Sequence, residues 1–238
     1  MKKTMYVLAV AMVAFGVTEA LTDEKNDYSV YMAIINNTKW YTQHDKEILP
    51  EQFIIYERTY IDRVVRNINY GTLTTILKSI IKGKEDYDSD EVLNNTLEEM
   101  GTTLDEYTSR YDDNEIKDYI KRVFNDVEDE IVEEFVSVNK TSRMIDANKM
   151  KGINVITISR SKLDEILQNG WWENFHNIYP QSPGVIWFSK VSYSKNNNIA
   201  LLYYQNTYAG MRSIGYLVIL EKISGKWIVK EKKWLWRA

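Results

Sequence analysis

Apolar positions change rhythm along this chain. From Tyr28 to Asn36 the chain reads as a short helix. Phe53 to Ile61 is rich in β-branched and aromatic residues and predicts a strand. Leu73, Ile76, Leu77, Ile80 and Ile81 return to steps of three and four, with Gly83 standing where such a helix would end. The stripe Ile116, Ile120, Val123, Phe124, Val127, Ile131 and Phe135 continues in the same steps and predicts one amphipathic helix of about five turns.

The last third is built differently. Val185 to Phe188, Ile199 to Tyr204, Gly215 to Leu220 and Trp227 to Trp236 are aromatic or β-branched runs. Between them lie the turn sequences Asn196-Asn197-Asn198, Ala209-Gly210 and Ser224-Gly225. Links this short join antiparallel neighbours, so the runs predict a four-stranded meander. Along Ile199 to Tyr204 both alternating sets are apolar, so both faces of that strand should be covered. In the final run Trp227 and Val229 have one parity, whereas Trp234 and Trp236 have the other. A regular strand cannot place all four on one face, which predicts a bulge or strand end near Glu231 to Lys233. Helices first and strands later make the class α+β. The expected architecture is amphipathic helices packed on a curved antiparallel sheet, by analogy with cystatin or nuclear-transport-factor-type cones. A single domain is expected over 21–238, helix-rich over 21–170 and strand-rich over 171–238.

Residues 1–20 are read as an address and not as part of the fold. Met1-Lys2-Lys3 precedes the apolar run Met5 to Val17, and Thr18-Glu19-Ala20 offers small residues around a cut near Ala20. About 13 apolar residues are too few for a span that needs about 20, so the mature chain is expected to have no transmembrane segment. The expected location is therefore periplasmic or extracellular. The 238 residues include no cysteine, so no disulfide staples the exported domain and packing alone must hold it.

Charge is unevenly placed. The whole chain has 30 Lys and Arg against 34 Asp and Glu, a formal charge of -4. Between Lys84 and Glu134 the count is five against nineteen, and between Gly184 and Ala238 it reverses to nine against two. The acids from Asp126 to Glu134 are read as the solvent side of their helix. Acidic helices meeting the basic strands of a neighbouring copy would give self-association. The acidic total and the export signal argue against nucleic acid as a partner.

The segment Trp172-x-x-Phe175-x-x-x-Tyr179-Pro180-x-Ser182-x-Gly184-x-Ile186-x-Phe188-Ser189-x-Val191 resembles a group of uncharacterised exported bacterial proteins. The likeness continues through Ala200 to Tyr203 and the strand ending Leu220-x-Lys222-x-x-Gly225-x-Trp227. It covers Trp171 to Trp236. Where that pattern has Ser-Arg-Val-Gly-Phe and Cys-Gly, this chain has Ser189-Lys190-Val191-Ser192-Tyr193 and Ala209-Gly210. The resemblance implies an exported α+β domain and brings no reaction with it.

Motifs for familiar chemistry are missing. There is no Gly-x-Ser-x-Gly elbow, phosphate-cradling loop or dinucleotide fingerprint. With two histidines, His44 and His176, and no cysteine, no His/Cys zinc set forms, and neither metal nor cofactor is expected. Asp86 to Glu91 looks like a calcium loop, but its sixth position is Glu91 and its twelfth Leu97, so an exposed acidic loop is expected. Six of the seven tryptophans fall at or after Trp171, among many tyrosines. Trp171, Trp172 and Tyr208, with Lys190 and Arg212, are the candidate lining of a groove for a sugar or another anionic or apolar ligand. The reading that follows is a non-catalytic binding module of the cell envelope, its partner a small ligand or an envelope protein. The alternative is a small hydrolase or isomerase using His176, Glu173 and Tyr179 for acid-base work in a sheet cavity.

Overall fold

The computed structural model describes residues 27–41, 47–59, 97–98, 101, 112–209 and 212–237. The leader, the helix expected over Leu73 to Ile81, the acidic loop Asp86 to Glu91 and His44 lie outside the described residues.

The core of the fold is a seven-stranded mixed sheet. Its strands are β3 (Phe53–Tyr56), β4 (Val155–Ile158), β5 (Val185–Phe188), β6 (Ser192–Tyr193), β7 (Ile199–Ala209), β8 (Arg212–Ile223) and β9 (Lys226–Arg237). They lie in the order β4-β3-β5-β7-β8-β9, with β6 also on β7. A separate pair joins β1 (Trp40–Tyr41) to β2 (Glu47–Ile48). The helices are α1 (residues 27–37), α2 (Asp113–Val123), α3 (Asp129–Val138), α4 (Arg160–Gln168) and α5 (Trp171–Ile178). No described helix is long and apolar enough to cross a membrane.

The meander forms as expected. Asn197 at φ 52 turns the chain into β7, and Ser224 and Gly225, both at positive φ, make the two-residue link between β8 and β9. Such mirror-image turns match the twist of the strands they join. The antiparallel pattern stops at β5, however. β3 pairs parallel to both β5 and β4, and α4 and α5 form the crossover between β4 and β5. Phe53 to Ile61 was expected as one strand, yet β3 ends at Tyr56, and the chain beyond it is tied by an Arg58–Met144 bridge.

Helices cover both faces. On one face α1 lays Tyr31, Ile34 and Ile35 on Ile55, Phe188, Leu202, Tyr204 and Leu220. The opposite face is shared. There α2 and α3 pack on Leu201, Tyr203, Leu217 and Ile219, while α4 and α5 pack on Ile54, Val185 and Trp187. β7 therefore buries both of its alternating sets, as its sequence demanded.

One expected helix is two. Phe124 caps α2 with extended backbone, φ -122 and ψ 100, and the chain turns at Asn125-Asp126 before α3 begins. Ile116, Ile120, Phe124, Ile131 and Phe135 all remain buried in the same cluster, because both helices of the hairpin lean on one sheet face. The three-four rhythm survives the break, so periodicity alone does not show it. Asp112 caps α2 through its bonds from Asn114 N and Glu115 N, 2.8 and 3.1 Å.

The edge of β7 facing β5 and β6 carries a repaired defect. Val185 pairs Thr207 and Phe188 pairs Tyr204, but Ser192 pairs Leu201, a one-residue shift. Across the shift the Ser189 hydroxyl accepts from Tyr203 N at 2.8 Å. Asn139, buried at the end of α3, accepts from Lys190 N at 2.8 Å and donates to Lys190 O at 3.2 Å. Two side chains thus replace the lost ladder, as buried backbone groups require.

β9 slips twice. Its pairing with β8 leaves Lys230 unmatched between Val229 and Glu231, and Leu235 unmatched between Trp234 and Trp236. The irregularity expected near Glu231 to Lys233 is present as the bulge at Lys230, and a second bulge at Leu235 follows it. The first brings Trp234 opposite Tyr216, on the face of Trp227. The second returns Trp236 to the other face, where its indole donates to the Tyr203 hydroxyl at 3.1 Å across Gly215.

Candidate functional site

The α1 face of the meander holds a groove of ≈ 790 Å³. Strand periodicity builds its floor: Tyr204, Asn206 and Tyr208 alternate along β7, and Ile214 and Tyr216 answer them on β8. Residues 37–41, leaving α1, form the wall. Trp40 anchors that wall by donating its indole N–H to Ile35 O at 3.0 Å. Lys232 and Arg237 enter from β9, placed there by its slipped register.

The geometry is that of an aromatic cradle with a cation beside it. The rings of Tyr204 and Tyr216 stack 5.2 Å apart at 24°. Lys232 Nζ lies 4.6 Å from the centre of the Tyr216 ring and has no carboxylate partner among the described residues. Burial lowers the Lys232 pKa from the ordinary lysine value. Burial likewise raises the Tyr204 and Tyr216 phenols, so both stay neutral donors at physiological pH. Tyr204 Oη meets Thr38 Oγ1 at 3.4 Å. Asn206 is held by its donation to Pro183 O at 3.0 Å, which leaves its carbonyl oxygen with no hydrogen bond among the described residues. Lys39 is already engaged by Glu47 at 3.1 Å. Trp234, cross-strand partner of Tyr216, stands 60% exposed beside them.

A second groove of ≈ 780 Å³ runs between α1 and the β8–β9 turn. Its lining includes Tyr28, Asn36, Trp227 and the lysines Lys149, Lys151 and Lys226. Asn37 lines both grooves, so they adjoin at the end of α1.

The groove residues named from sequence scatter. Tyr208 lines the first groove. Trp172 is core, 7% exposed and packed against Phe175. Trp171 begins α5 at φ 57, 71% exposed, beside Arg160 and Asp164. Arg212 starts β8 and is exposed, outside both grooves. Lys190 donates to Thr141 Oγ1 at 2.8 Å, and burial followed by the nearby Arg143 lowers its pKa. Near it lies a buried tether in which Asp27 takes hydrogen bonds from Arg143 and, at 2.8 Å, from Tyr193 Oη.

The acid-base trio does not converge. His176 Nε2 lies 2.7 Å from Tyr208 O. A carbonyl only accepts, so that nitrogen carries the proton and is spent on fixing α5 to β7. Glu173 is exposed, while Tyr179 packs on Phe175 at 5.1 Å. No cluster of three or more His, Cys, Asp or Glu capable of holding a metal occurs among the described residues.

What the sequence reading missed is Lys232, Arg237, Asn206 and the Tyr204–Tyr216 stack. Tyr204, Asn206 and Tyr208 share a parity that strand periodicity reveals. Lys232 was hidden because its face depends on the bulge at Lys230. Compared with protein-family models, curated proteins and solved structures, the chain finds no significant match in any of the three.

Proposed function

We propose that this chain is an exported, non-catalytic binding module of a bacterial envelope, related to the uncharacterised exported proteins that its Trp171 to Trp236 segment resembles, and that it holds a ligand in the Tyr204–Tyr216 groove. One observation carries the reading: a preformed aromatic floor bears an ammonium, Lys232 Nζ at 4.6 Å from the Tyr216 ring centre, that no described carboxylate neutralises. An ammonium held at a ring with no carboxylate beside it is open to a charge-assisted hydrogen bond with an incoming anion. His176 adds to the reading, because its Nε2 holds the backbone that displays Tyr208.

The test has two arms. N-terminal sequencing of protein recovered from the envelope or medium should find a start near Leu21. Tryptophan fluorescence, read from Trp234 at the groove edge, should change saturably when envelope extracts fractionated by size are titrated in. Tyr216→Ala should abolish that change while retaining the fold by circular dichroism. An unprocessed Met1 terminus overturns export, and an identical titration for Tyr216→Ala overturns the groove.

A further inference from the structure

The two grooves of the α1 face share one chemistry. Among the described residues their combined lining holds Lys149, Lys151, Lys226, Lys39, Lys232 and Arg237 and no Asp or Glu, in a chain whose net charge is -4. Of these, Lys151, Lys226 and Lys232 have no carboxylate partner among the described residues. The acids lie elsewhere. Residues 112–134 hold ten Asp and Glu against three Lys and Arg, and they form the helices that pack on the opposite sheet face. The sheet thus has the basic grooves on its α1 face and the acidic α2–α3 pair on the opposite one.

Between the cations stand flat rings and amides. Tyr216 lines the first groove with its cross-strand partner, the exposed Trp234, at the edge; Tyr28 and Trp227 line the second, and Asn37 stands where the two meet. We infer that the occupant is a linear acidic glycan, a polymer of uronic-acid sugars, laid across both grooves. The inference rests on the binding reading above and adds the ligand class to it. Each part of such a polymer has a counterpart here. The C–H face of a pyranose covers an aromatic ring, its hydroxyls satisfy amide groups, and its carboxylate meets an ammonium. A flat lipid surface cannot enter concave grooves. A single-stranded nucleic acid also stacks on rings beside cations; the groove amides, which sugar hydroxyls match, favour the glycan, and the oligothymidylate titration separates the two. Because the grooves adjoin at Asn37, a chain of several sugars engages both, and the second contact forms at high effective concentration.

The experiment is calorimetric titration of the purified full chain with galacturonic acid, pentagalacturonate, maltopentaose and an oligothymidylate. Pentagalacturonate should bind at least about tenfold tighter than the monomer or the neutral pentamer, by the effective-concentration argument. It should weaken about tenfold between low and high salt, because the charges are partly exposed. Lys226→Gln and Lys232→Gln, one in each groove, should each weaken it severalfold and together bring it to the level of the monomer. Equal binding of maltopentaose, unchanged by either lysine variant but lost in Tyr216→Ala, overturns the acidic class and leaves the groove reading standing. Equal binding of oligothymidylate overturns the glycan in favour of any polyanion. Failure of every probe overturns this inference, while the fractionated-extract titration still judges the groove on its own. A doubled mass by sedimentation that falls back in Lys232→Gln overturns it in favour of a second copy.

Discussion

Gly184→Ala perturbs the point where β5 begins. Gly184 lies at φ 112, a conformation closed to side chains, and an added methyl would sit 2.7 Å from Tyr208 Cα and 2.9 Å from the Thr207 carbonyl carbon. It would lie closer still to the Thr207 oxygen. All three obstacles are backbone, and the adjacent Val185–Thr207 pair holds them in place, so no rotamer change relieves the clash. Backbone strain of this kind costs about 1–3 kcal/mol. Overpacking against fixed atoms costs about 1–3 kcal/mol more. The sum centres on about 4 kcal/mol, and at about 2–4 °C per kcal/mol for a chain of this size the melting temperature should fall by about 8–16 °C. Urea unfolding followed by tryptophan fluorescence measures the loss. The same methyl displaces Tyr208 from the groove floor and strains its carbonyl bond from His176, so groove binding should weaken in the fraction still folded. A loss under about 1 kcal/mol would refute the close approach of β5 to β7 on which this estimate rests.

Two further outcomes follow from buried groups. Asn139→Ala leaves Lys190 N–H and C=O without their partner and should cost about 2–4 kcal/mol, whereas Thr141→Ala, which removes only an exposed acceptor of the Lys190 ammonium, should cost under about 0.5 kcal/mol; equal effects in chemical denaturation would contradict the side-chain repair of the β5–β6 break. Burial lowers the Lys232 pKa, so the unfolded chain binds the extra proton, and the stability tied to this group rises with pH between its lowered value and the ordinary lysine 10.5. Native protein should therefore gain on Lys232→Gln as alkaline pH climbs through that window, and a difference independent of pH would show the ammonium to be fully hydrated.

Local signals made the meander readable. Val185 to Phe188, Ile199 to Tyr204 and Trp227 to Trp236 have strand composition, and Asn197, Ser224 and Gly225 mark turns that need positive φ. The parallel pairing was not readable. Val155–Ile158 is short and branched throughout, and its place beside Phe53–Tyr56 comes from a pairing about 100 residues apart in sequence, for which no local pattern codes. The Asn125-Asp126 turn escaped notice because the apolar stripe ran through it. At the site, the sequence showed that rings and cations were plentiful in the last third. It did not show which of them meet. Trp172 and Lys190 answer to local packing and to Thr141, whereas Tyr216 and Lys232 face one another only once the slips in β9 have been counted.

Those slips have a further consequence for life at high concentration. Among the described residues β9 is the outermost strand of the sheet, twelve residues long and with no strand beyond it, a natural template for a stranger's backbone. Its two interruptions spoil the even spacing of free N–H and C=O groups, and Lys226, Lys230, Lys232, Lys233 and Arg237 crowd the border with like charge. The same irregularities that aim Lys232 at Tyr216 therefore deter fibre-like stacking, so straightening β9 by deleting Lys230 would at once misdirect a ligand contact and open a seam for aggregation.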